Sequence, residues 1–268
     1  MSPYSICVIG NSHCGAYRSA WINRYAALYP GAAMTYFAAP PNLLGHLVHE
    51  EGGFSAGKPA LGRAFALTSG GPTRIEPAAY DAVVLISIGT KLDLPFLCAQ
   101  FGTLRHRRFR PVQELVSEAC FRAMVEGDLR KLLEIVAQCR AASGNPLLVC
   151  PTPFRTQSRV EADGETFEDD SARAALIADY QAVASALLRE RGAEMIWQDP
   201  ATVVRPGYTH ADYALQGIRL QDHLCEDGVH MNQAYGEIML AKVLARLDAL
   251  CKGRLSAGAE IERVREAG

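Results

Sequence analysis

The 268-residue chain has no long apolar run, no C-x-x-C pair and no excess of either charge. Each absence excludes something. No stretch approaches the roughly 20 consecutive apolar residues that a membrane-spanning helix needs. Lys and Arg number 27 against 29 Asp and Glu, a net charge of −2, so the electrostatic footprint of a nucleic-acid-binding surface is missing. Eight cysteines are present, but without C-x-x-C spacing a structural zinc site is not supported, and no metal site is expected. Cys7, Cys139 and Cys150 fall at strand- or helix-type core positions. We therefore read the cysteines as reduced thiols rather than a disulfide framework. A strand-type run begins at Tyr4 with no basic segment before it. The expectation is a cytoplasmic protein without a signal peptide. The Lys-Ser/Thr of a phosphate-binding loop does not follow Gly10 to Gly15.

What is present is an alternation. Apolar, β-branched runs at residues 4–10, 33–38, 80–89, 147–150 and 193–197 read as five strands. Helical spacing covers residues 16–28, 112–142 (with a break near Gly127-Asp128), 171–191 and 233–250, the last with Asn232 as its cap. Residues 43–77, 90–111 and 198–229 have weak periodicity. They read as a long excursion with one or two short helices, a polar segment and a loop-rich stretch. Strands alternating with helices predict an α/β fold: a five-stranded parallel sheet with helices on both faces. Strand order 2-1-3-4-5 is a common solution. We expect one domain over residues 1–250 and a charged C-terminal tail over 251–268.

The chain is organised around Asn11-Ser12-His13-Cys14-Gly15, the turn between the first strand and the first helix. In open α/β sheets the ligand sits at the carboxyl ends of the strands. Ser12 then stands at a cleft mouth and a helix N-terminus, where backbone N–H groups face an oxyanion. Near the other end, Asp227 and His230 stand three apart, just before the last helix. In a turn-like backbone that spacing lets the carboxylate accept the imidazole Nδ1–H and leaves Nε2 free as an acceptor. A serine hydroxyl needs such a base, and the base needs such an orienter. Ser12 as a mere helix cap, or His230 as a satisfied loop histidine, are the blander alternatives. Cys14, beside His13, is read as facing the core or the helix flank rather than as a nucleophile.

The opening I-G-N-S-H-C-G resembles the first block of the SGNH (GDSL-like) hydrolase superfamily, with Asn in place of the usual Asp. The closing D-G-V-H-M-N-Q-A-Y-G resembles its last block, D-x-x-H followed by a helix. L-I-S-I-G-T-K resembles the third block, in which a strand ends G-x-N-D. Together the resemblance spans residues 4 to about 245. It implies a three-layer α/β/α, flavodoxin-like fold and a serine esterase that needs no cofactor. The expected substrate is a small-molecule or carbohydrate ester bearing an acetyl or short acyl group. It implies Ser12 as nucleophile, His230 as base and Asp227 as orienter. The family's oxyanion hole uses the serine N–H, a second-block glycine and an asparagine side chain. For the glycine the choice is Gly45, with Gly52 and Gly53 as competitors. The asparagine position holds Lys91, which either supplies a charged donor or marks a lost one; Thr90 and Asn42 are alternative donors.

Candidate substrate-binding residues are His13, Thr90, Arg105, Arg108 and Tyr208. The run Arg105 to Arg110 is either a solvated face or a grip on an anionic group. Two rival readings stay open. One is an acyltransferase using the same acyl-enzyme; the other is a catalytically degenerate binding protein of the same fold.

Overall fold

Five strands form one parallel sheet in the computed structural model. It describes residues 3–90, 101–108, 114–162, 170–220, 223–251 and 253–255, with the side chains of 108, 162, 216–220 and 223–227 left out. Strand β1 (Tyr4–Gly10) lies inside it, between the edge strand β2 (Ala32–Ala38) and the central strand β3 (Ala82–Ile86). β4 (Leu147–Cys150) follows β3, and β5 (Glu194–Met195) closes the far edge. The order is β2-β1-β3-β4-β5.

The strands are apolar on both faces because both are covered, as parallel sheets require. Alternate residues divide between two cores. Cys7 and Ile9 of β1 pack with Phe37, Phe65 and Leu132 on one side. Ile6 and Val8 pack with Tyr17, Tyr235 and Leu240 on the other. The first helix, α1 (Cys14–Ala20), runs on through a π-helical turn, Trp21–Tyr25, to Leu28. α2 (Pro41–Leu44) and α3 (Pro59–Ser69) follow β2. α4 (Glu118–Asp128) and α5 (Arg130–Ala142) meet at Leu129, where the sequence puts a break. α6 (Gln157–Ala162), α7 (Asp170–Glu190) and α8 (Gln233–Leu250) complete the helices used below.

Four differences from the sequence reading matter. Residues 43–77 contain an antiparallel hairpin, Leu47–Glu50 with Gly53–Ala56, as well as helices. The loop-rich stretch 198–229 is largely built from two more antiparallel pairs. They are Val203–Arg205 with Tyr208–Thr209, and Ala214–Leu220 with His223–Met231. The third strand ends at Ile86 rather than Gly89, because Ser87 takes a left-handed backbone conformation at φ 55°. The chain also stays on the core past Cys251. Leu255 is buried, and the Tyr4 hydroxyl meets Cys251 Sγ at 2.5 Å.

Candidate active site

The turn after β1 is shaped by a close approach. A Cβ at Gly10 would lie 2.4 Å from the Ile86 carbonyl oxygen and 2.5 Å from Cys14 Sγ, so glycine alone lets β1 end so near β3. Asn11 then clips the turn to its neighbour. Its Nδ2 donates to the Ser87 carbonyl at 2.8 Å, and its Oδ1 accepts the His13 N–H at 3.0 Å. Asn11 and His13 are buried, while Ser12 stands exposed between them. α1 starts without a side-chain cap, so the Ser12 hydroxyl is not spent on capping. The Ser12 N–H has no hydrogen-bond acceptor among the described residues. Cys14 is buried, and burial pushes its thiol well above the ordinary range, which removes it as a competing nucleophile.

His230 comes from the hairpin ahead of α8. Leu215 pairs with Asp227 but its neighbour Ala214 pairs with Met231, so Gly228, Val229 and His230 are extra residues on one strand. Such bulges re-aim side chains. Both flanks of this one are tied down. The Gly228 carbonyl accepts the Thr156 N–H at 3.0 Å, and a Cβ at Gly228 would strike Thr156 Oγ1 at 2.4 Å. Asn232 donates to the Asp212 and Ala214 carbonyls, at 2.7 and 3.2 Å, while its Oδ1 caps α8 by accepting the Tyr235 N–H. The result is a 2.7 Å contact between His230 Nε2 and Ser12 Oγ, across 218 residues of sequence. The His13 ring lies 5.2 Å from the His230 ring. The Asp227 backbone is in the hairpin, but its side chain lies outside the described residues.

A cavity of about 450 Å³ opens beside this pair. Asn11, His13, Ser87 and Thr90 line it, with Lys131 and Arg155 as its charged members. Of the expected substrate contacts, His13 and Thr90 are therefore in place. The Thr90 hydroxyl is engaged, accepting the Thr152 N–H at 3.0 Å. Arg105 is not at the cavity: it pairs with Asp179 of α7 at 3.0 Å. His106 beside it accepts the Thr103 N–H at Nδ1, so its Nε2 carries the proton and donates to Asp179 at 2.8 Å. Tyr208 is buried beneath two guanidinium groups, Arg173 at 4.4 Å and Arg205 at 5.4 Å from its ring centre. It holds the short hairpin to α7 rather than facing the cavity. Lys91 and the Arg108 side chain lie outside the described residues.

Gly45 ends α2 with its N–H donated to the Pro41 carbonyl at 3.2 Å, so this oxyanion candidate is already engaged. Gly52 lies in the turn of the first hairpin and Gly53 begins its second strand, where a Cβ at Gly53 would lie 2.0 Å from the Ile75 carbonyl oxygen. That hairpin also holds a G-x-S-x-G spacing, Gly53 to Gly57, where the sequence reading takes that spacing to be absent. It is no nucleophile elbow: Ser55 sits in a paired strand and its hydroxyl donates to Glu50. Asn11, Ser87, Lys131 and Arg155 are site residues that sequence reasoning missed. Asn11 had a signal, its place beside Ser12; the other three depend on packing between distant segments. Among the described residues no three His, Cys, Asp or Glu side chains are grouped as metal ligands would be. No helix among them is long and apolar enough to cross a membrane.

No protein-family model and no curated protein matches the chain. Solved structures do. One is a Streptococcus pneumonia protein named as a platelet activating factor, with 12% identity over 92% of this chain and 85% of that one, at a TM-score of 0.45. Another is the periplasmic domain of a lipopolysaccharide acetyltransferase from Salmonella ser. Paratyphi A, with 10% identity over 92% and 84%, again at 0.45. A third, from Parabacteroides merdae, is named as a GDSL-like lipase, with 13% identity over 91% and 96% at 0.40. Likenesses of this size carry no argument about activity.

Proposed function

We propose that this protein is a serine esterase of the SGNH type, with Ser12 as nucleophile, His230 as general base and Asp227 as the carboxylate that orients it. The observation that carries the reading is the 2.7 Å contact between Ser12 Oγ and His230 Nε2. A base at that distance takes the hydroxyl proton as the oxygen attacks, a contribution of about 10²–10⁴-fold. The scheme needs only an ester and water. Ser12 Oγ bonds to the carbonyl carbon while Nε2 accepts its proton. The tetrahedral intermediate expels the alkoxide, which takes that proton from the imidazolium, and an acyl-enzyme remains. Water then gives a proton to Nε2 and attacks the acyl carbon. Ser12 leaves as the second intermediate collapses and regains its proton from His230.

The Ser12 N–H, without an acceptor among the described residues, is the first oxyanion donor. Lys91 is assigned the place of the family's asparagine, as a charged donor. The catalytic unit is one domain over residues 1–250. Its substrate is a small-molecule or sugar ester bearing an acetyl or short acyl group.

The test is p-nitrophenyl acetate hydrolysis by wild type and Ser12→Ala, with intact mass recorded after a serine-directed phosphonate. Turnover and a mass adduct, both absent from Ser12→Ala, are expected. An adduct that persists in Ser12→Ala, or well-folded wild type that neither turns over nor reacts, would overturn the reading. Adding an alcohol acceptor separates hydrolysis from transfer, since a transferase makes the new ester faster than free acid.

A further inference from the structure

The cavity beside Ser12 is apolar along most of its wall, and its charged lining is cationic. Leu44, Ile88, Phe154 and Val160 supply the apolar wall. Its charged lining residues are Lys131 and Arg155, and no Asp or Glu lines it among the described residues. Most cations described elsewhere on the surface have a carboxylate. Arg24 has Glu237, Arg122 has Glu190, Lys242 has Asp199 and Arg246 has Glu194. Lys131 is exposed and, like Arg18, Lys58, Arg63, Arg130 and Arg189, makes no ion pair or hydrogen bond among the described residues, but it alone of these lines the cavity, with its ammonium toward α2. Its Nζ lies 3.8 Å from where a Cβ at Gly45 would be.

Two further features converge there. Lys131 is the second residue of α5, a 13-residue helix, and the N-terminal end of a helix carries the positive pole of its dipole. That end is pressed against the cavity wall. A Cβ at Gly89, itself at φ +63°, would lie 3.0 Å from the Leu132 nitrogen, so the approach depends on glycine. Ser87 lines the same cavity at 5% exposure, and its hydroxyl has no hydrogen-bond partner among the described residues. A buried hydroxyl without a partner is costly, and a ligand oxygen would relieve it.

From this convergence we infer that the cavity is an anion subsite: the ester that Ser12 attacks carries a carboxylate or phosphate group, held by Lys131 at the N-terminal end of α5. The inference rests on the esterase reading and names the substrate class for that site. A neutral ester fills the apolar wall but leaves the ammonium and the Ser87 hydroxyl as they were. An anionic one gains a charge-assisted hydrogen bond from the Lys131 ammonium and an acceptor for the Ser87 hydroxyl.

The test uses three small probes of similar shape: benzoate, phenyl phosphate and benzyl alcohol. Each is titrated by calorimetry into wild type, Lys131→Met and Lys131→Arg, and each is run as a competitor of p-nitrophenyl acetate turnover. Wild type and Lys131→Arg are expected to bind an anion about tenfold or more tighter than benzyl alcohol, and Lys131→Met to bring that ratio close to one. Benzoate ahead of phenyl phosphate identifies a carboxylate ligand, and the reverse order a phosphate. The same anion-to-neutral ratio in wild type and Lys131→Met would overturn the subsite. Failure of the esterase reading shows separately, as absence of the phosphonate adduct at Ser12, and the calorimetric ratios then still decide the subsite.

Discussion

Gly236 lies so close to Ala16 that a Cβ there would sit 2.1 Å from the Ala16 carbonyl oxygen. Ala16 is in the first turn of α1, just past Ser12, and Gly236 is in the first turn of α8, just past His230. The approach of these two backbones therefore sets the separation of the proposed nucleophile and base. Side chains hold the same pair of helices further along: Asn23 Nδ2 donates to Gln233 at 2.7 Å, and the Tyr25 hydroxyl to the Glu237 carbonyl at 3.0 Å.

Gly236→Ala forces the helices apart. Overpacking of this kind costs about 1–3 kcal/mol, and the Ser12–His230 contact lengthens with it. We expect a lower urea midpoint together with a loss of p-nitrophenyl acetate hydrolysis larger than the loss of folded protein. Gly127→Ala in α4 is the control, since nothing lies within 4 Å of its added Cβ. It should stabilise by about 0.4–1 kcal/mol through the unfolded chain. Equal behaviour of the two variants would mean that the close approach does not set the site.

Asn11 makes a sharper prediction because only an amide satisfies both of its contacts. One side must donate, to the Ser87 carbonyl, and the other must accept, from the His13 N–H. Asn11→Asp keeps the acceptor but turns a carboxylate oxygen toward a buried carbonyl. The cost should be about 1–3 kcal/mol in denaturant unfolding, with kcat falling more than KM rises as the Ser12 turn loosens. Asn11→Asp with wild-type stability would show that the Ser87 contact does not hold the turn.

The sheet is legible in the sequence because strands buried on both faces read as unbroken apolar runs, as residues 82–86 and 147–150 do. Two of the added hairpins are not, since strands of two to four residues are too short to show a period and Gly52 looks like any loop glycine; in the third, Ala214–Leu220 with His223–Met231, the bulge after Asp227 breaks the alternation. That Ser12 and His230 meet is legible from two short blocks at opposite chain ends; whether they turn over an ester is for the adduct experiment. Arg105 shows the limit most plainly. Its run of arginines reads equally as a solvated face or an anion grip until Asp179, 74 residues downstream, is folded against it. Lys131 gives no local signal at all, because its place depends on how α5 meets α2 and Gly89.

Ser87 carries two local costs at one position, a left-handed backbone at φ 55° and a buried hydroxyl without a partner among the described residues. Gly at this position removes both, against a higher entropy of the unfolded chain. The balance should raise stability by up to about 1 kcal/mol. If the hydroxyl serves the ligand, Ser87→Gly weakens anion binding while the thermal midpoint rises. A drop in the midpoint would show that the serine is structural.

Asp81 links stability to pH. Its carboxylate accepts the Ser5 N–H at 2.8 Å and the Ser5 hydroxyl at 2.9 Å, and Arg254 lies 3.3 Å away. The Ser5 N–H, with help from the Ser5 hydroxyl and Arg254 and against partial burial, holds the carboxyl below its ordinary value. A carboxyl whose folded pKa is depressed binds protons more readily in the unfolded chain. Its contribution is therefore present above the unfolded value, about 3.9, and is lost as pH falls through the folded one. Asp81→Asn should cost about 1 kcal/mol at pH 7, once solvent screening of the partly exposed group is allowed for. The gap between wild type and variant in urea midpoint should stay level from pH 7 to pH 5 and narrow below about pH 4. A gap that is unchanged at pH 3 would mean that Asp81 joins β1, β3 and the chain past α8 by shape rather than by charge.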